Sequence, residues 1–384
     1  MTAAAAGAPA SAVVIGTGLI GTSVALALRQ RGTAVWLADH DPASARLAAD
    51  IGAGTVLEDV TTGLPADLAV LAVPPAAVAP ALAEAQARGL ARWYTDVASV
   101  KALPLAQARA LGCDLATFVP GHPLSGRERS GPAAARADLF LGRPWVICPG
   151  AQTLPEAVAA VTALARVCGA EPVTAGAAEH DSWVALVSHA PHVVSAAMAA
   201  RLTQAPGSAL ALAGQGLRDV TRIAAGDSAL WTQILDANAG PVAGVLADVS
   251  ADLAAAAAAL AEAAQAQPDP GSAAEGGLDD GGRLAALKAV TALLEHGSAG
   301  VGRIPGKQGK PARADAVVQV VIRDQPGELA RLFQAAGQAG VNIEDIGIEH
   351  SPGLPVGVAE LTVRPEAVPV LTGALVANGW PVRG

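Results

Sequence analysis

Short apolar runs alternate with longer amphipathic segments through residues 1–175. The runs are rich in Val, Ile and Leu, and segments with helical periodicity, such as Thr22 to Arg31, separate them. This alternation predicts a parallel β-sheet with helices on both faces. The predicted strands are Ser11–Ile15, Ala34–Ala38, Leu68–Val73, Arg92–Asp96 and Trp145–Cys148.

Beyond Gly176 the pattern changes to helical periodicity, which continues to about Glu295 without a convincing strand. Val242–Ala266 is a long predicted helix with Pro241 at its start, where proline is tolerated. Gly282–Glu295 is a shorter predicted helix, and the polar stretch between the two predicts a loop. The middle of the chain is therefore expected to be an all-α domain.

The C-terminal segment follows a third pattern, after a stretch rich in Pro and Gly (Arg303–Pro311) that predicts a linker. Strand, helix, strand, strand and helix succeed one another, which predicts a small α+β fold of the βαββα type. We expect domains at 1–175, 176–304 and 315–384, with the linker at 305–314. The predicted elements are strands Ala316–Ile322, Asn342–Glu349 and Val356–Val363 and helices Gly327–Gly340 and Ala367–Asn378.

Composition narrows the class of protein. The 384 residues are 52% hydrophobic and 15% charged, which excludes a disordered chain, and the net charge of -9 argues against non-specific nucleic-acid binding. The three cysteines form no Cys-x-x-Cys pair, so neither a disulfide framework nor a cysteine zinc site is indicated. The N-terminus lacks a signal peptide's basic flank, and the Ala-rich stretch 251–266 carries Asp252 and Glu262. We expect a cytoplasmic protein that does not span a membrane.

A glycine motif directly follows the first predicted strand and opens a helix. Its sequence, Gly16-Thr-Gly18-Leu19-Ile20-Gly21, matches G-x-G-x-x-G, which in this context binds a dinucleotide pyrophosphate at the helix N-terminus. Asp39 ends the second predicted strand, where a carboxylate accepts hydrogen bonds from ribose hydroxyls and repels a 2′-phosphate. The first domain is therefore predicted to be a Rossmann-type fold that binds NAD rather than NADP.

Two loop motifs carry groups that a small anionic substrate needs. TDVASVK at 95–101 follows a strand at the carboxyl edge of the sheet and offers the Ser99 hydroxyl. The alternative there is a helix cap at Ser99 with an exposed Lys101. GHPLSGRE at 121–128 holds His122 between Gly and Pro, which places it in a loop and favours a functional histidine over a core one.

A third motif runs from His-Asp at 180–181 through SHAPH at 188–192 to LRDVTR at 217–222. His189 and His192 share a helix face, but no nearby Cys or Glu completes a ligand set, so no metal is expected. Arg222 is suited to binding a carboxylate through two parallel hydrogen bonds. The alternative is a surface network of Arg222 with Arg218 and Asp219.

In this order, the motifs resemble the prephenate/arogenate dehydrogenase family of tyrosine biosynthesis. The resemblance covers Val13 to about Arg303 and includes the glycine loop, TDVASVK, GHPLSG, HD with VSHAPH, and LRDVTRIAAGD followed by W. It implies a Rossmann domain, a helical domain that forms a homodimer, and NAD-dependent oxidative decarboxylation of prephenate to 4-hydroxyphenylpyruvate. Departures from the family pattern at Gln215, Leu217 and Ala190 leave the pocket's shape open.

The resemblance also implies residue roles. His122 matches the catalytic histidine that binds the ring hydroxyl, and Ser99 matches the serine that assists it. His192 matches a second active-site histidine, and Arg222 matches the arginine that holds a substrate carboxylate. Further positions around the pocket are Glu128, Arg218, Asp219 and Trp231.

Several alternatives stay open within this resemblance. Because prephenate is a dianion, a second cation is expected, and the candidates are Arg218, Arg127 and Arg303. Arogenate as the substrate would need an acidic partner for its ammonium group, such as Glu128. A catalytically inactive sensor of NAD and an amino acid is the remaining alternative, which the full catalytic set disfavours.

The C-terminal segment resembles an ACT domain, an amino-acid-sensing module that some family members carry. Asp324 and Gly327 precede its first helix, and Asn342 opens its second predicted strand. The resemblance places an effector site at these residues and implies feedback control by tyrosine or another aromatic amino acid. The alternative is a module that serves only for dimerisation.

Overall fold

The structure is a computed structural model that describes residues 7–57, 63–125, 131–265, 280–305, 315–350 and 355–383. The chain divides into two compact units, Met1–Ala251 and Asp252–Gly384. Each unit has its own sheet and its own buried core, and each is therefore described by itself.

A six-stranded parallel sheet forms the frame of the first unit, in the order β3-β2-β1-β4-β5-β6. This is the strand order of a dinucleotide-binding Rossmann fold, with the reversal between β1 and β4, where ligands bind at the carboxyl ends. The predicted Rossmann-type sheet is confirmed. Its strands are β1 (Ser11–Ile15), β2 (Ala34–Ala38), β3 (Thr55–Val56), β4 (Ala66–Leu71), β5 (Ala91–Asp96) and β6 (Phe118–Val119).

Helices cover both faces of this sheet, because neighbouring β1 residues point to opposite sides. Val14 packs with Leu28 and Leu164 on one face, and Val13 packs with Leu82 on the other. A strand buried on both faces explains why β1 reads as an unbroken apolar run. The covering helices are α1 (Leu19–Gln30), α2 (Pro42–Asp50), α3 (Pro75–Ala87), α4 (Ala102–Ala110) and α5 (Pro155–Val167).

A second, three-stranded sheet corrects one prediction. It consists of β7 (Gly121–Pro123), β8 (Pro144–Ile147) and β9 (Glu171–Thr174), with β8 antiparallel to β7 and parallel to β9. The run at 145–148 was predicted to belong to the parallel sheet, but its register is set by pairing with β7. This pairing holds His122, the central residue of β7, opposite Val146.

The rest of the first unit is helical. A π-helical turn at Ala185–His189 joins α6 to α7, so that residues 177–204 form one continuous helical segment. α11 begins at Ala239, earlier than the predicted Val242, and extends past the boundary between the units. Within the described residues 177–265 and 280–305 there is no strand, as predicted. The helices are α6 (Ala177–Val184), α7 (Ala190–Ala200), α8 (Gly207–Leu210), α9 (Gln215–Thr221), α10 (Ser228–Ala237) and α11 (Ala239–Gln265).

Two helical segments, Ala177–Gln204 and Ala239–Gln265, are long and apolar enough to cross a membrane by length and composition alone. The first contains buried polar side chains, among them His180 and Asp181, which a lipid-facing helix would not hold at such positions. Both expose large apolar residues, including Leu186 and Leu253.

The second unit contains α12 and a four-stranded antiparallel sheet in the order β11-β12-β10-β13. The predicted βαββα order is confirmed, with β13 as an added short strand. β11 begins at Asp345, so Asn342 precedes the strand instead of opening it, and α12 extends to Val301, beyond the predicted Glu295. The elements are α12 (Asp280–Val301), β10 (Ala316–Arg323), α13 (Glu328–Gln338), β11 (Asp345–His350), β12 (Val356–Val363), α14 (Val368–Ala377) and β13 (Val382–Arg383).

Candidate active site

The glycine loop between β1 and α1 is shaped by close backbone contacts. Gly16 has a φ of +97°, and a Cβ there would lie 2.2 Å from the carbonyl oxygen of Ala72. A Cβ on Gly21 would lie 1.9 Å from the carbonyl oxygen of Gly16. Only glycine satisfies both positions. By contrast, a Cβ on Gly18 would meet no atom within 4 Å, so that position faces open space.

This open space lies at the N-terminus of α1, where Leu19 and Ile20 form the first turn after Gly18. The helix begins three residues before the predicted Thr22, so free N–H groups and positive potential point toward the space. No acidic residue lies in the first turn to compete for those groups. The loop therefore fits the pyrophosphate of a dinucleotide.

Asp39, at the carboxyl end of β2, fastens the glycine loop. Its Oδ2 accepts hydrogen bonds from Thr17 N at 2.6 Å and Thr17 Oγ1 at 2.8 Å, and its Oδ1 accepts one from Asp41 N at 2.9 Å. Burial acts to raise the pKa of Asp39, but these hydrogen bonds outweigh burial and lower it. The group is therefore an anion beside the loop, which is consistent with the predicted ribose contact.

A buried ion pair lies at the carboxyl end of β5, beneath the second motif. The ammonium group of Lys101 contacts Asp96 Oδ2 and also donates to the carbonyl oxygen of Gly121 at 2.6 Å. Asp96 Oδ1 accepts from Gly121 N at 3.1 Å. Lys101 is buried, so the exposed lysine considered from the sequence is wrong, and it is Lys101 that caps α4, not Ser99.

Three side chains form a hydrogen-bonded series that ends at His122. Asp181 accepts backbone N–H groups from Lys101 and Ala102, both at 2.8 Å, which joins α6 to the start of α4. His180 Nδ1 lies 2.8 Å from Asp181 Oδ1, and His180 Nε2 lies 2.8 Å from His122 Nδ1. Together Asp96, Lys101, His122, His180 and Asp181 form what we name the buried polar cluster.

The carboxylate of Asp181 sets the protons on both histidines. A carboxylate only accepts, so the network assigns the His180 proton to Nδ1 and leaves His180 Nε2 as an acceptor. His122 Nδ1 then donates to it, and Nε2 of His122 carries a lone pair. Burial is the largest cause that lowers the pKa of His122 well below 6.5. The neighbouring His180, Lys101 and His189 lower this pKa further. At neutral pH the half-buried imidazole is therefore an uncharged base.

His189 and His192 lie at the join of α6 and α7, close to the buried polar cluster. Asn238 Nδ2 donates to His189 Nδ1 at 3.0 Å and to the carbonyl oxygen of Asp181 at 2.8 Å. Burial lowers the pKa of His189 to about 4, although Asp181 acts in the opposite direction. The His192 ring stacks on Trp231 at 3.6 Å and 12°, and burial also lowers its pKa.

The remaining predicted substrate residues are less enclosed. Ser99 lies half-buried in the loop before α4. Arg218 and Asp219 are exposed on α9, where Gln215 donates to Asp219 at 2.7 Å. α9 ends at Thr221, so Arg222 begins a 3-10 turn instead of continuing the helix, and it is exposed in the single chain. We name residues 218–222 the arginine segment. Glu128 and Arg127 lie outside the described residues.

Four members of the buried polar cluster have no role that could be assigned from the sequence: Asp96, Lys101, His180 and Asp181. All four are buried and ionisable, but the contacts that bring the Asp96–Lys101 pair and the His180–Asp181 pair together with residues 121 and 122 span 20 to 80 positions in sequence. The available signal was the charged residues within TDVASVK and the His-Asp pair. No group of three or more potential metal ligands occurs within the part of the chain that the structure describes.

Two family models match consecutive parts of the chain. The prephenate dehydrogenase nucleotide-binding domain matches residues 24–174, and the prephenate dehydrogenase dimerization domain matches residues 176–268. A probable prephenate dehydrogenase of Streptomyces niveus is 43% identical over 97% of this chain and 99% of its own length. The chain belongs to the prephenate dehydrogenase family. The resemblance found in the motifs is therefore confirmed.

Solved structures agree with this family assignment. An arogenate dehydrogenase of Synechocystis is 27% identical, with a TM-score of 0.56 over 65% of this chain and 92% of its own. A prephenate dehydrogenase of Aquifex aeolicus, solved with hydroxyphenyl propionate and NAD+, is 23% identical, with a TM-score of 0.61 over 74% of this chain and 97% of its own. The second likeness shows a shared fold.

Proposed function

We propose that this protein oxidises and decarboxylates prephenate to 4-hydroxyphenylpyruvate with NAD+ as the acceptor. The observation that carries the proposal is the hydrogen-bonded series from Asp181 through His180 to His122, from which we assign an unprotonated Nε2 to His122. A base of this kind is what removal of a ring hydroxyl proton requires. Membership of the prephenate dehydrogenase family supports the same reaction.

When bound at the glycine loop, NAD+ would supply the acceptor for a hydride from the ring carbon that bears the hydroxyl group. His122 Nε2 accepts the hydroxyl proton as the carbonyl forms, and loss of CO₂ from the opposite ring carbon makes the ring aromatic. The imidazolium of His122 donates to His180, whose own proton is held by Asp181, so the new charge is stabilised without water. The chain's main tasks are orientation and proton removal.

We assign substrate contacts to the residues that the motifs indicate. Ser99 assists His122 at the ring hydroxyl, and Arg222 binds one carboxylate of the substrate. The His192 ring, which stacks on Trp231, contacts the substrate as a second active-site histidine. Arg218 and Asp219 lie next to Arg222 in the chain and support this arrangement. Glu128 remains a proposed contact on the strength of its motif alone.

We assign NAD to the loop of Gly16, Gly18 and Gly21, with Leu19 and Ile20 in the helix turn above it and Asp39 at the ribose. A matched pair of variants tests the assignment. Gly18→Ala places a methyl group in the open space and should weaken NAD+ binding while Tm stays unchanged. Gly16→Ala forces a strained backbone against Ala72 and should lower Tm as well. Unchanged NAD+ affinity in Gly18→Ala would contradict the assignment.

Arogenate is the second candidate substrate, and the likeness to the Synechocystis arogenate dehydrogenase favours keeping it. NADH production from NAD+ with each substrate decides between the two. We expect a higher kcat/KM for prephenate than for arogenate, and the reverse order would make the chain an arogenate dehydrogenase. No NADH from either substrate would favour the inactive sensor.

The C-terminal unit is proposed to be an ACT domain that binds tyrosine at Asp324, Gly327 and Asn342. Support comes from its βαββ core with α14 and from the left-handed backbone of Gly327, whose φ is +87° at the start of α13. Tyrosine should then inhibit turnover, and Asn342→Ala should weaken that inhibition. Activity that ignores every aromatic amino acid would leave dimerisation as the role of this unit.

The assembly and location follow as further proposals. The dimerization-domain match includes both apolar helical segments with their exposed leucines, which supports a homodimer. A light-scattering mass of one chain would contradict it. We also propose a division into domains at 1–175, 176–304 and 315–384, with a linker at 305–314. A cytoplasmic location is a further proposal.

A further inference from the structure

The ion pair of Lys101 and Asp96 is buried at the end of β5, with both side chains 0–1% exposed. A buried ion pair is a poor way to gain stability, because removing two charges from water costs about as much as their attraction returns. Apolar residues of similar volume often serve a fold as well or better. The position of this pair therefore calls for a reason beyond stability.

Both polar backbone groups of one residue, Gly121, are bound by this pair. Lys101 Nζ donates to the Gly121 carbonyl oxygen at 2.6 Å, and the Gly121 N–H donates to Asp96 Oδ1 at 3.1 Å. A Cβ on Gly121 would lie 3.0 Å from Asp96 O and from Trp145 Nε1, so the backbone at this position packs closely against both neighbours. Gly121 is bonded directly to His122.

We propose, on the basis of the function proposed above, that the Lys101–Asp96 pair is a positioning element that holds the backbone carrying His122 in register with His180. Lys101 forms hydrogen bonds on both sides of the contact between His122 and His180. Its ammonium group binds Gly121, and its backbone N–H donates to Asp181, which orients His180. The pair therefore acts on the reaction through His122 and touches no substrate itself.

The same lysine also acts on the charge of His122. The titratable groups that face His122 are His180 and Asp181 from α6, His189 from the π-helical turn, and the Lys101–Asp96 pair itself. Among them, His180, Lys101 and His189 all disfavour the imidazolium, and Lys101 is the one that belongs to the ion pair. Removing the lysine charge should therefore make His122 easier to protonate.

The test compares Lys101→Met, Asp96→Asn and the double variant in the full-length protein. Lys101→Met should lower kcat about 10- to 100-fold, the effect of a small misplacement of a catalytic group, with little change in NAD+ affinity. Its acid limb in kcat/KM should move to higher pH, whereas that of Asp96→Asn should not. The double variant should lose about as much kcat as Lys101→Met alone, because both changes act through Gly121.

Leu164→Ala is the matched control for lost stability, since Leu164 is fully buried in α5 on the other side of the sheet. It should lower Tm and leave kcat at 25 °C unchanged. The proposal is overturned if Lys101→Met keeps kcat within about twofold of wild type, or if its acid limb does not move. An NMR titration of the His122 ring needs no turnover, so it tests the charge effect even if prephenate is not oxidised.

Discussion

The buried polar cluster and the arginine segment differ in how completely one chain builds them. In the cluster, Asp96, Lys101, His180 and Asp181 are nearly or fully buried, and each is joined to another member by a hydrogen bond. In the arginine segment, Arg218, Asp219 and Arg222 are exposed, and the helix ends within it at Thr221.

This difference separates two parts of the proposed reaction. Proton removal depends on groups that are already positioned, whereas carboxylate binding depends on side chains whose final surroundings include the substrate. Groups that are held in place before the substrate arrives lower the barrier of the chemical step. Exposed groups become ordered only when the substrate binds, so their contribution is measured in KM. Variants in the cluster should therefore change kcat, and variants in the segment should change KM.

His122→Asn tests the cluster where the largest effect is expected. The amide cannot take the hydroxyl proton, so kcat should fall by roughly 10²–10⁴ while NAD+ affinity is retained. Steady-state NADH production and a fluorescence titration with NAD+ measure the two quantities. A kcat near that of wild type would show that His122 does not accept the hydroxyl proton. The division of roles between the cluster and the arginine segment would then be wrong.

Asp181→Asn tests whether the series behind His122 matters. The amide would present an N–H₂ group either to His180 or to a backbone N–H of α4, and either choice disturbs the proton assignment. We expect kcat to fall about 10²-fold with KM nearly unchanged. If KM rises and kcat is retained, the cluster contributes to substrate binding and not to proton removal, which would contradict the role given to it above.

Arg222→Ala tests the other region. Loss of a charge-assisted pair should raise KM for prephenate about 10- to 100-fold with a smaller change in kcat. Arg201→Ala, which removes an exposed positive charge elsewhere in the helical region, serves as the control and should leave KM unchanged. Equal KM values in the two variants would show that another cation holds the carboxylate.

The smallest expected effect is on stability at low pH. Burial lowers the pKa of His189 from 6.5 to about 4, so between these values the unfolded chain binds a proton that the folded chain does not. Stability should therefore be fully present above pH 6.5 and decline as pH falls toward 4. Urea denaturation at several pH values measures the slope, and His189→Gln should flatten it. A slope unchanged by that variant would assign the effect to other groups.

The arrangement of strand, glycine loop and helix could be predicted from the sequence because its requirements are local. Gly16, Gly18 and Gly21 lie within six positions, between a strand and a helix that the hydrophobic pattern already indicates. The Rossmann sheet, the all-α middle region and the βαββα order followed from the same kind of pattern. Local periodicity determines these elements, and their ends shifted by only a few residues.

The buried polar cluster could not be predicted, because the contacts that assemble its parts are long-range. Nothing near Lys101 in the sequence shows that its ammonium group reaches Gly121, or that its backbone N–H meets Asp181. The strand at 144–147 was misplaced for a similar reason. An apolar run specifies a strand but not its partner, and here β7 supplies antiparallel pairing outside the main sheet.

The π-helical turn at Ala185–His189 has a consequence for how this chain tolerates insertions and deletions. Such a turn holds one residue more than the regular helix around it. Because a π-turn takes up its extra residue within one wider turn, deleting a residue there would restore an ordinary helix and leave the residues after it facing nearly the same way. Deleting a residue from the regular part of the same segment would instead rotate everything after it by about 100°. The turn would thus let this chain lose one codon between His180 and His192 without separating His192 from Trp231.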